Sequence, residues 1–179
     1  VLELGCGAGA NIPFFSSLNV EYYAIEGSPT IVESLRKKFP NIKENIVVGD
    51  FTKDLHFENS FDLVVDRSSV THNTTKGIKQ CLDAVYDGLN TGGKYIGLDW
   101  FSTINPEYNH GKQDQDIFTR TDYTSGQFAN IGRVHFSDEP HMLDLFSKFK
   151  ILLLEHSVKE EKIPKNSKVS AIWNLVAEK

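Results

Sequence analysis

The chain has 179 residues, 40% of them hydrophobic, enough for one domain with a substantial core. A formal net charge of −5 disfavours a surface that neutralises many phosphates, so we do not expect nucleic acid as a partner. Two cysteines, Cys6 and Cys81, are too few for a disulfide framework or a zinc site, and we expect no metal. The sequence has neither a signal peptide nor an apolar run near the roughly 18 residues of a membrane span, so a cytoplasmic protein is expected.

The first eleven residues carry the most informative motif. The run Val1–Leu4, apolar except for Glu3, predicts a buried strand, and glycines follow at alternate positions as Gly5, Gly7 and Gly9. Glycine has no Cβ, so its backbone adopts positive φ and lets a ligand approach the main chain. We expect a ligand on this loop, although a purely structural turn would use glycine as well. The spacing is G-x-G-x-G, unlike the G-x-G-x-x-G of dinucleotide-binding folds.

Strands and helices alternate through the next ninety residues. Ser28 and Pro29 predict a helix start, because serine caps free amides and proline is tolerated in the first turn. Such alternation, with mostly apolar strands, favours a parallel sheet covered on both faces. The expected elements are helix Ile12–Leu18, strand Val20–Glu26, helix Pro29–Phe39, strands Asn45–Phe51 and Phe61–Asp66, helix Thr75–Leu89, turn Asn90–Gly93 and strand Lys94–Asp99.

The alternation stops after residue 101. Residues 102–137 have no sustained period but contain dispersed aromatic side chains, and a connection of this length is usually functional, so we expect a lid or a substrate wall. Ser137–Pro140 predicts another helix start. Strands Ile151–Val158 and Val169–Ala177, joined by the charged turn 159–168, are expected to pair antiparallel.

We therefore predict a single domain, residues 1–179, with a lid-like insertion at about 102–137. The sequence begins at Val1, directly in a strand, which leaves open whether a native N-terminal helix is missing.

Several landmarks together resemble the class I S-adenosylmethionine (SAM) dependent methyltransferases. The resemblance implies a Rossmann-like three-layer α/β sandwich, with a seven-stranded, mostly parallel sheet of order 3-2-1-4-5-7-6 in which strand seven is antiparallel. It also implies a ligand at the carboxyl ends of the strands. The landmarks are Val1–Gly9 (motif I), Glu26, Gly49–Phe51, Phe61–Asp66 (motif IV) and Gly88–Gly93, which is similar to a leucine-x-proline-glycine-glycine turn with Thr91 in place of proline.

The resemblance further implies SAM as cofactor, S-adenosylhomocysteine (SAH) as product and a set of binding residues. Glu26 would accept hydrogen bonds from both ribose hydroxyls, and Asp50 would accept one from the adenine amino group, with Phe51 or Ile25 packing on the ring. Glu3 and Asp66 would face the ammonium end. Each acid also has a structural interpretation, as a solvated strand end, a turn acid or a buried acid bonded to loop amides. The expected cofactor-binding residues are Glu3, Gly5, Cys6, Gly7, Gly9, Glu26, Gly27, Ser28, Asp50, Phe51 and Asp66.

The segment after the fourth strand contains the catalytic candidates Asp66, Arg67 and His72. An Asp-Arg pair at this point is similar to the thiopurine and tellurite-type small-molecule methyltransferases. Arg67 could orient an anionic substrate or pair with Asp66, and His72 could be a general base or a packing or capping residue. The segment lacks an Asn-Pro-Pro-Tyr or Asp-Pro-Pro-Tyr run, which disfavours methylation of planar amide or adenine amino groups.

The expected reaction is transfer of the SAM methyl group to an oxygen, nitrogen or sulfur atom of a small-molecule acceptor by in-line displacement. Two alternatives stay open. An NAD(P)-dependent oxidoreductase of Rossmann type would share the glycine loop and Glu26, but its third glycine should come one residue later. A catalytically silent partner protein would keep the sheet and lose donor binding.

Overall fold

The computed structural model describes residues 1–58, 60–164 and 169–179. Its α-helices are α1 (Ile12–Ser17), α2 (Pro29–Lys38), α3 (Thr75–Gly88) and α4 (Glu139–Leu145), and 3-10 helices span Pro40–Asn45, Val70–His72 and Pro106–Asn109. Its strands are β1 (Leu2–Leu4), β2 (Tyr23–Glu26), β3 (Ile46–Val48), β4 (Phe61–Arg67), β5 (Leu89–Phe101), β6 (Lys112–Gln113), β7 (Thr119–Thr121), β8 (Val134–His135), β9 (Lys150–Glu160) and β10 (Val169–Glu178).

A seven-stranded sheet of order β3-β2-β1-β4-β5-β10-β9 forms the centre of the molecule. Strands β1 to β5 pair in parallel, whereas β10 runs antiparallel to both β5 and β9. The predicted order 3-2-1-4-5-7-6 with an antiparallel strand seven is confirmed. The predicted turn at 159–168 lies partly outside the described residues, and β9 extends into it as far as Glu160.

The helices cover the sheet on two faces, as expected for a parallel sheet. Helices α1 and α2 pack with β2 and β3 through a cluster that includes Phe15, Tyr22 and Leu35. Helix α3 packs its buried residues, among them Ile78, Leu82 and Val85 at helical spacing, on the other face of the sheet. Helix α4 packs in the same main core. This arrangement is the predicted three-layer sandwich.

The boundaries differ from the prediction at the start of β5. Residues 90–93, predicted as a separate turn, belong to this strand, so that prediction is wrong. The β4–β5 register shifts here, Gly92 has φ +77°, and backbone bonds join Gly92 and Gly93 to Lys179 at 3.2 and 3.0 Å. Pairing with the C-terminal residue thus extends the strand through the predicted turn.

Residues 102–137 fold around a small core of their own. Strands β6, β7 and β8 form a three-stranded antiparallel sheet. Beside it, Tyr123, Phe128, Val134 and Phe136 are buried together. The aromatic residues dispersed through this segment therefore hold it together and attach it to the end of β5. In the described parts of the chain, no helix has both the length and the apolar character needed to cross a membrane.

Candidate active site

The glycine loop follows β1 and needs glycine at each position. Gly5, Gly7 and Gly9 have φ of +67°, +50° and +75°, which side chains rarely adopt. A Cβ on Gly5 would lie 2.3 Å from Cβ of Ser69, and one on Gly9 would lie 2.7 Å from Leu35. A Cβ on Gly7 would meet nothing within 4 Å. The loop is therefore packed against the protein at its ends and open at Gly7, where a ligand can rest on bare backbone.

Glu26 ends β2 and bridges this loop to the start of α2. The backbone N–H groups of Gly7 and Ser28 donate to its carboxylate at 3.0 and 2.9 Å, one to each oxygen. An ionised carboxylate offers about four lone-pair positions, so about two remain free. Ser28 itself caps α2, because its hydroxyl accepts from the backbone N–H of Ile31. Together with Gly27, these residues place a carboxylate directly beside the open part of the loop.

Glu3 lies beneath the loop and is only 4% exposed. The amide of Asn11 donates to one carboxylate oxygen at 2.8 Å, and the hydroxyl of Tyr22 donates to the other. Burial raises the pKa of Glu3 and that of Tyr22. Neither partner was predicted from the sequence, although Asn11 is only two residues after Gly9. Glu3 fixes the floor of the loop.

The side chain of Cys6 points away from the open part of the loop. It is buried in the cluster under α1 and α2, and burial raises the pKa of its thiol to about 12. Only the backbone of Cys6 is available to a ligand, so the predicted cofactor contact is limited to main-chain atoms.

Asp50 and Phe51 follow β3, beside Glu26, because the N–H of Gly49 donates to the Glu26 carbonyl at 3.1 Å. The Asp50 side chain is 48% exposed. Its hydrogen bonds from the Thr52 side chain at 2.6 Å and the Thr52 backbone at 3.0 Å, with Lys53 at 3.0 Å, lower its pKa. Phe51 packs against the main core. The structure thus brings Asp50 to the predicted carboxyl edge of the sheet, where its carboxylate already accepts hydrogen bonds from Thr52 and Lys53.

Asp66 is enclosed in the core, with 1% of its surface exposed. One carboxylate oxygen accepts from the Ser69 hydroxyl and from the backbone N–H groups of Ser69 and Val70 at 2.9 and 3.0 Å. The other accepts from the Trp100 indole at 2.6 Å and the Tyr95 hydroxyl at 3.3 Å. Burial raises its pKa. These donors occupy the carboxylate, so Asp66 holds the segment that contacts Gly5 and has no acceptor position left for substrate or for the ammonium group.

Arg67 does not pair with Asp66, and that alternative is wrong. Consecutive residues of a strand point to opposite faces, and Arg67 donates through Nε to Asp99 at 2.7 Å. Ser68 and Asp99 both have φ of +58°, and the Ser68 hydroxyl donates to the Asp99 carbonyl at 2.9 Å. The ends of β4 and β5 are therefore tied together. Asp99 was not predicted as the partner of Arg67, although it is the acid that ends the predicted strand Lys94–Asp99.

His72 lies where the end of β4 meets the insertion. It is the last residue of the 3-10 helix Val70–His72, whose first N–H is capped by Asp66. Its Nδ1 is 2.9 Å from the carbonyl oxygen of Arg133 in the insertion, and its ring centre is 6.2 Å from that of Phe101. The structure brings His72 to the same edge of the sheet as the glycine loop.

The comparisons with known proteins give the family. A model described as a methyltransferase domain matches residues 1–93, which is more than half of the chain and includes the glycine loop, Glu26, Asp50 and β4. The chain belongs to the methyltransferase domain family. SAM is accordingly the cofactor of this methyltransferase, and the oxidoreductase alternative loses its support. No curated protein matches the chain at a significant level.

Solved structures share the fold at low sequence identity. A SAM-dependent methyltransferase from Methanosarcina mazei is 15% identical with a TM-score of 0.77, over 99% of this chain and 91% of that chain. SAM-bound CalS10, an amino pentose methyltransferase from Micromonospora echinaspora, is 15% identical with a TM-score of 0.62, over 99% and 82%. TehB from Haemophilus influenzae is 13% identical with a TM-score of 0.65, over 99% and 57%. At these identities the likenesses show the fold of a methyltransferase and do not assign a subgroup.

The methyltransferase loop fits SAM by its own chemistry. The open backbone at Gly7 suits a ligand that packs onto the main chain, and the unused acceptor positions of Glu26 suit a ribose diol. A groove of about 400 Å³ starts at Glu3 and runs between α1 and the neighbouring strands, with Phe14, Val65 and Leu98 among its walls. A separate cavity of about 670 Å³ lies between the insertion and the β9–β10 hairpin, and the predicted site residues do not line it.

The insertion is joined to the methyltransferase core by a second set of contacts that the sequence did not indicate. The backbone N–H of Thr75 donates to Asp116 at 2.9 Å, and the Thr119 hydroxyl donates to the same carboxylate. Thr119 also bonds His135, which in turn bonds His141 of α4 at 3.0 Å. Burial, then the neighbouring His141, lowers the pKa of His135 to about 3. These groups lie far apart in sequence, so spacing alone could not reveal them.

Proposed function

We propose that the protein transfers the methyl group of SAM to an oxygen, nitrogen or sulfur atom of a small-molecule acceptor. The observation that carries this proposal is the carboxylate of Glu26, bonded at 3.0 Å to the open glycine loop and at 2.9 Å to the start of α2. It offers a hydrogen-bond acceptor for a ribose at the carboxyl edge of the sheet, where ligands of open α/β folds bind.

The contacts to the rest of the SAM molecule are proposed residue by residue. Glu26 accepts hydrogen bonds from the two ribose hydroxyls, and the remaining acceptor position of Asp50 accepts one from the adenine amino group. The backbone of Gly5, Gly7 and Gly9 lies against the amino-acid end. Each oxygen of Glu3 accepts one hydrogen bond, from Asn11 or from Tyr22, so about two acceptor positions remain to face the ammonium end.

A ligand of small-molecule size is supported by the groove of about 400 Å³ beside Glu3, since pockets for small molecules are typically about 300–1,000 Å³; His72 and the described residues of the insertion do not line this groove. The acidic net charge of −5 and the sequence Asp66–Ser69 after β4 argue against nucleic acid and planar amide groups. The neighbour CalS10 is an amino pentose methyltransferase, which agrees with an acceptor of this size. The insertion at 102–137 then serves as the lid or wall of the acceptor site, within a single domain.

The chemistry requires mainly positioning. The sulfonium already activates the methyl group, so holding the acceptor atom in line with the carbon–sulfur bond at near-contact distance supplies most of the acceleration. Hydrogen bonds join β4 to β5 and His72 to the insertion. They suit such a function because they hold the residues around the methyl-transfer position in place.

Calorimetric titration with SAM, SAH and NADH tests the donor site. We expect SAM and SAH to bind and NADH not to bind. A folded protein that binds none of them would instead be the catalytically silent partner. Transfer of label from methyl-tritiated SAM into a small-molecule extract, compared with RNA and DNA, tests the acceptor class, and label in nucleic acid alone would refute it.

We also propose a cytoplasmic location, which the two free and buried cysteines support. Fractionation of the native cells tests it, and recovery of the protein only outside the cytoplasmic fraction would exclude it.

A further inference from the structure

We propose that His72 is the general base of the transfer, and that the acceptor is therefore a group whose attacking atom must lose a proton. This inference rests on the proposed function and deepens it. Its starting point is the 2.9 Å contact between Nδ1 of His72 and the carbonyl oxygen of Arg133.

That contact fixes which ring nitrogen carries the proton. A carbonyl oxygen only accepts, so Nδ1 must be the donor, and in a neutral imidazole Nε2 is then unprotonated with its lone pair available. Within the described part of the chain, Nε2 has no hydrogen-bond partner, and the side chain is only partly buried. The geometry thus leaves a basic nitrogen without a structural task.

The Arg133 carbonyl, which accepts this hydrogen bond, is itself held in place. Arg133 donates through Nε to Asp114, and the next residue, Val134, is buried in β8. On the ring's other side, the Phe101 ring packs edge-on at 6.2 Å. A fixed carbonyl and an aromatic wall restrict rotation of the imidazole, which a proton-transfer group needs.

The base also lies beside the donor site. His72 is three residues after Ser69, whose Oγ is within hydrogen-bond distance of the Leu4 carbonyl oxygen and whose Cβ lies against Gly5. Both therefore stand at the carboxyl edge formed by β1 and β4. The insertion reaches this edge through Arg133. It therefore orients the base at the same place where it would contact the methyl acceptor.

The step balances as follows in atoms and electrons. A lone pair of the acceptor oxygen, sulfur or nitrogen attacks the methyl carbon, the carbon–sulfur bond breaks, and its electron pair stays on sulfur to give neutral SAH. The acceptor's proton moves to Nε2 of His72. The resulting imidazolium is stabilised by its Nδ1–H bond to the Arg133 carbonyl, and the proton leaves to water after product release. Hydroxyl and thiol acceptors need this step, and an ammonium acceptor must give a proton to Nε2 before its nitrogen has a lone pair for the attack.

The tautomer is tested first, by NMR of the protein labelled with ¹⁵N-histidine. We expect the His72 signals to show a protonated Nδ1 and an unprotonated Nε2 in the neutral form. Assignment comes from comparison with His72→Asn, in which the Asn Nδ2 can still donate to Arg133. A proton on Nε2 would overturn the proposal.

Two reactions then separate the base from the donor site. Formation of SAM from SAH and iodomethane joins sulfur to carbon and releases iodide with no proton transfer, so His72→Asn should keep it within about threefold of wild type. Methylation of protic probes that keep their proton at neutral pH, 2-phenylethanol, 2-phenylethanethiol and 2-phenylethylamine, should fall by roughly 10²–10⁴-fold, the usual range for removal of a general base. His110→Gln, at a histidine 63% exposed in the insertion, is the matched control and should leave both reactions unchanged.

The outcomes are distinguishable. Equal loss of both reactions in His72→Asn would make His72 a structural residue, and full activity of the variant with a protic probe would exclude it as the base. A wild type that forms SAM but methylates none of the protic probes would refute the acceptor class. A wild type that neither binds SAH nor forms SAM would refute the proposed function itself.

Discussion

Replacing Glu26 should remove most of the affinity for SAM. Its carboxylate already accepts from Gly7 and Ser28, and its remaining acceptor positions are the ones available to the two ribose hydroxyls. Hydrogen bonds to a charged group contribute about 1.5–3 kcal/mol each, so losing two costs about 3–6 kcal/mol. At about 1.4 kcal/mol per tenfold, Glu26→Ala should raise the Kd for SAM by roughly 10²–10⁴-fold. Glu26→Gln should recover little, because its amide nitrogen would face an N–H donor.

Isothermal titration with SAM and SAH at constant pH measures this loss, and circular dichroism reports whether the variants are folded. Glu33→Ala is the matched control, since Glu33 lies on α2 with 70% of its side chain exposed and pairs only with Lys37. We expect its Kd to equal that of the wild type. A folded Glu26→Ala protein with a Kd within threefold of wild type would show that the ribose is bound elsewhere and would refute the assignment.

Four further substitutions test the surroundings of the site. Gly5→Ala puts a Cβ 2.3 Å from Ser69 at a residue with positive φ, and it should lower the free energy of unfolding in urea by about 2–4 kcal/mol. Gly7→Ala has open space around its Cβ and should lower it by only about 1 kcal/mol, yet it should still weaken SAM binding. Asp66→Asn presents an amide donor to buried donors and should destabilise the fold by about 3–5 kcal/mol, and an unchanged urea midpoint would contradict the hydrogen-bond network. The folded-state pKa of His135, about 3, is below its ordinary 6.5. The contribution of neutral His135 to the free energy of unfolding is therefore complete above pH 6.5, and it is lost as the pH falls towards 3, by up to about 1.4 kcal/mol per pH unit. His135→Gln should flatten that acid limb of the unfolding free energy, and an identical limb in the variant would assign it to other groups.

The architecture could be predicted from sequence because its signals are local. The glycines at positions 5, 7 and 9, the Ser28–Pro29 helix start and the apolar strands each depend on neighbours within a few residues, and the family's sheet order supplied the rest. The start of β5 could not be predicted in this way. Its pairing partner, Lys179, is almost ninety residues distant, and turn-like residues such as Gly92 can also sit in an irregular strand.

The site was predicted less completely because a residue type does not reveal its partners. Asp66 and Glu26 both end strands, yet Asp66 points into the core, where Trp100 and Tyr95 donate to it, while Glu26 points along the edge to backbone N–H groups. The difference lies in which face each side chain takes and in what packs there. The sequence alone offered one sign, the serine three residues after Asp66, which is typical of an acid that caps the following turn.

The insertion illustrates how such long-range contacts alter a functional interpretation. From sequence, His72 could be a general base or a packing or capping residue, because nothing nearby fixed its protonation. The Arg133 carbonyl, sixty-one residues later, supplies that constraint, and the Asp116 bond to Thr75 holds the same segment from a second point. Since both contacts come from residues 102–137, a change in this insertion would alter the orientation of His72 together with the acceptor wall. Under the proposed roles, one structural element would determine both acceptor specificity and proton transfer, while the glycine loop and Glu26 would bind the donor independently of it.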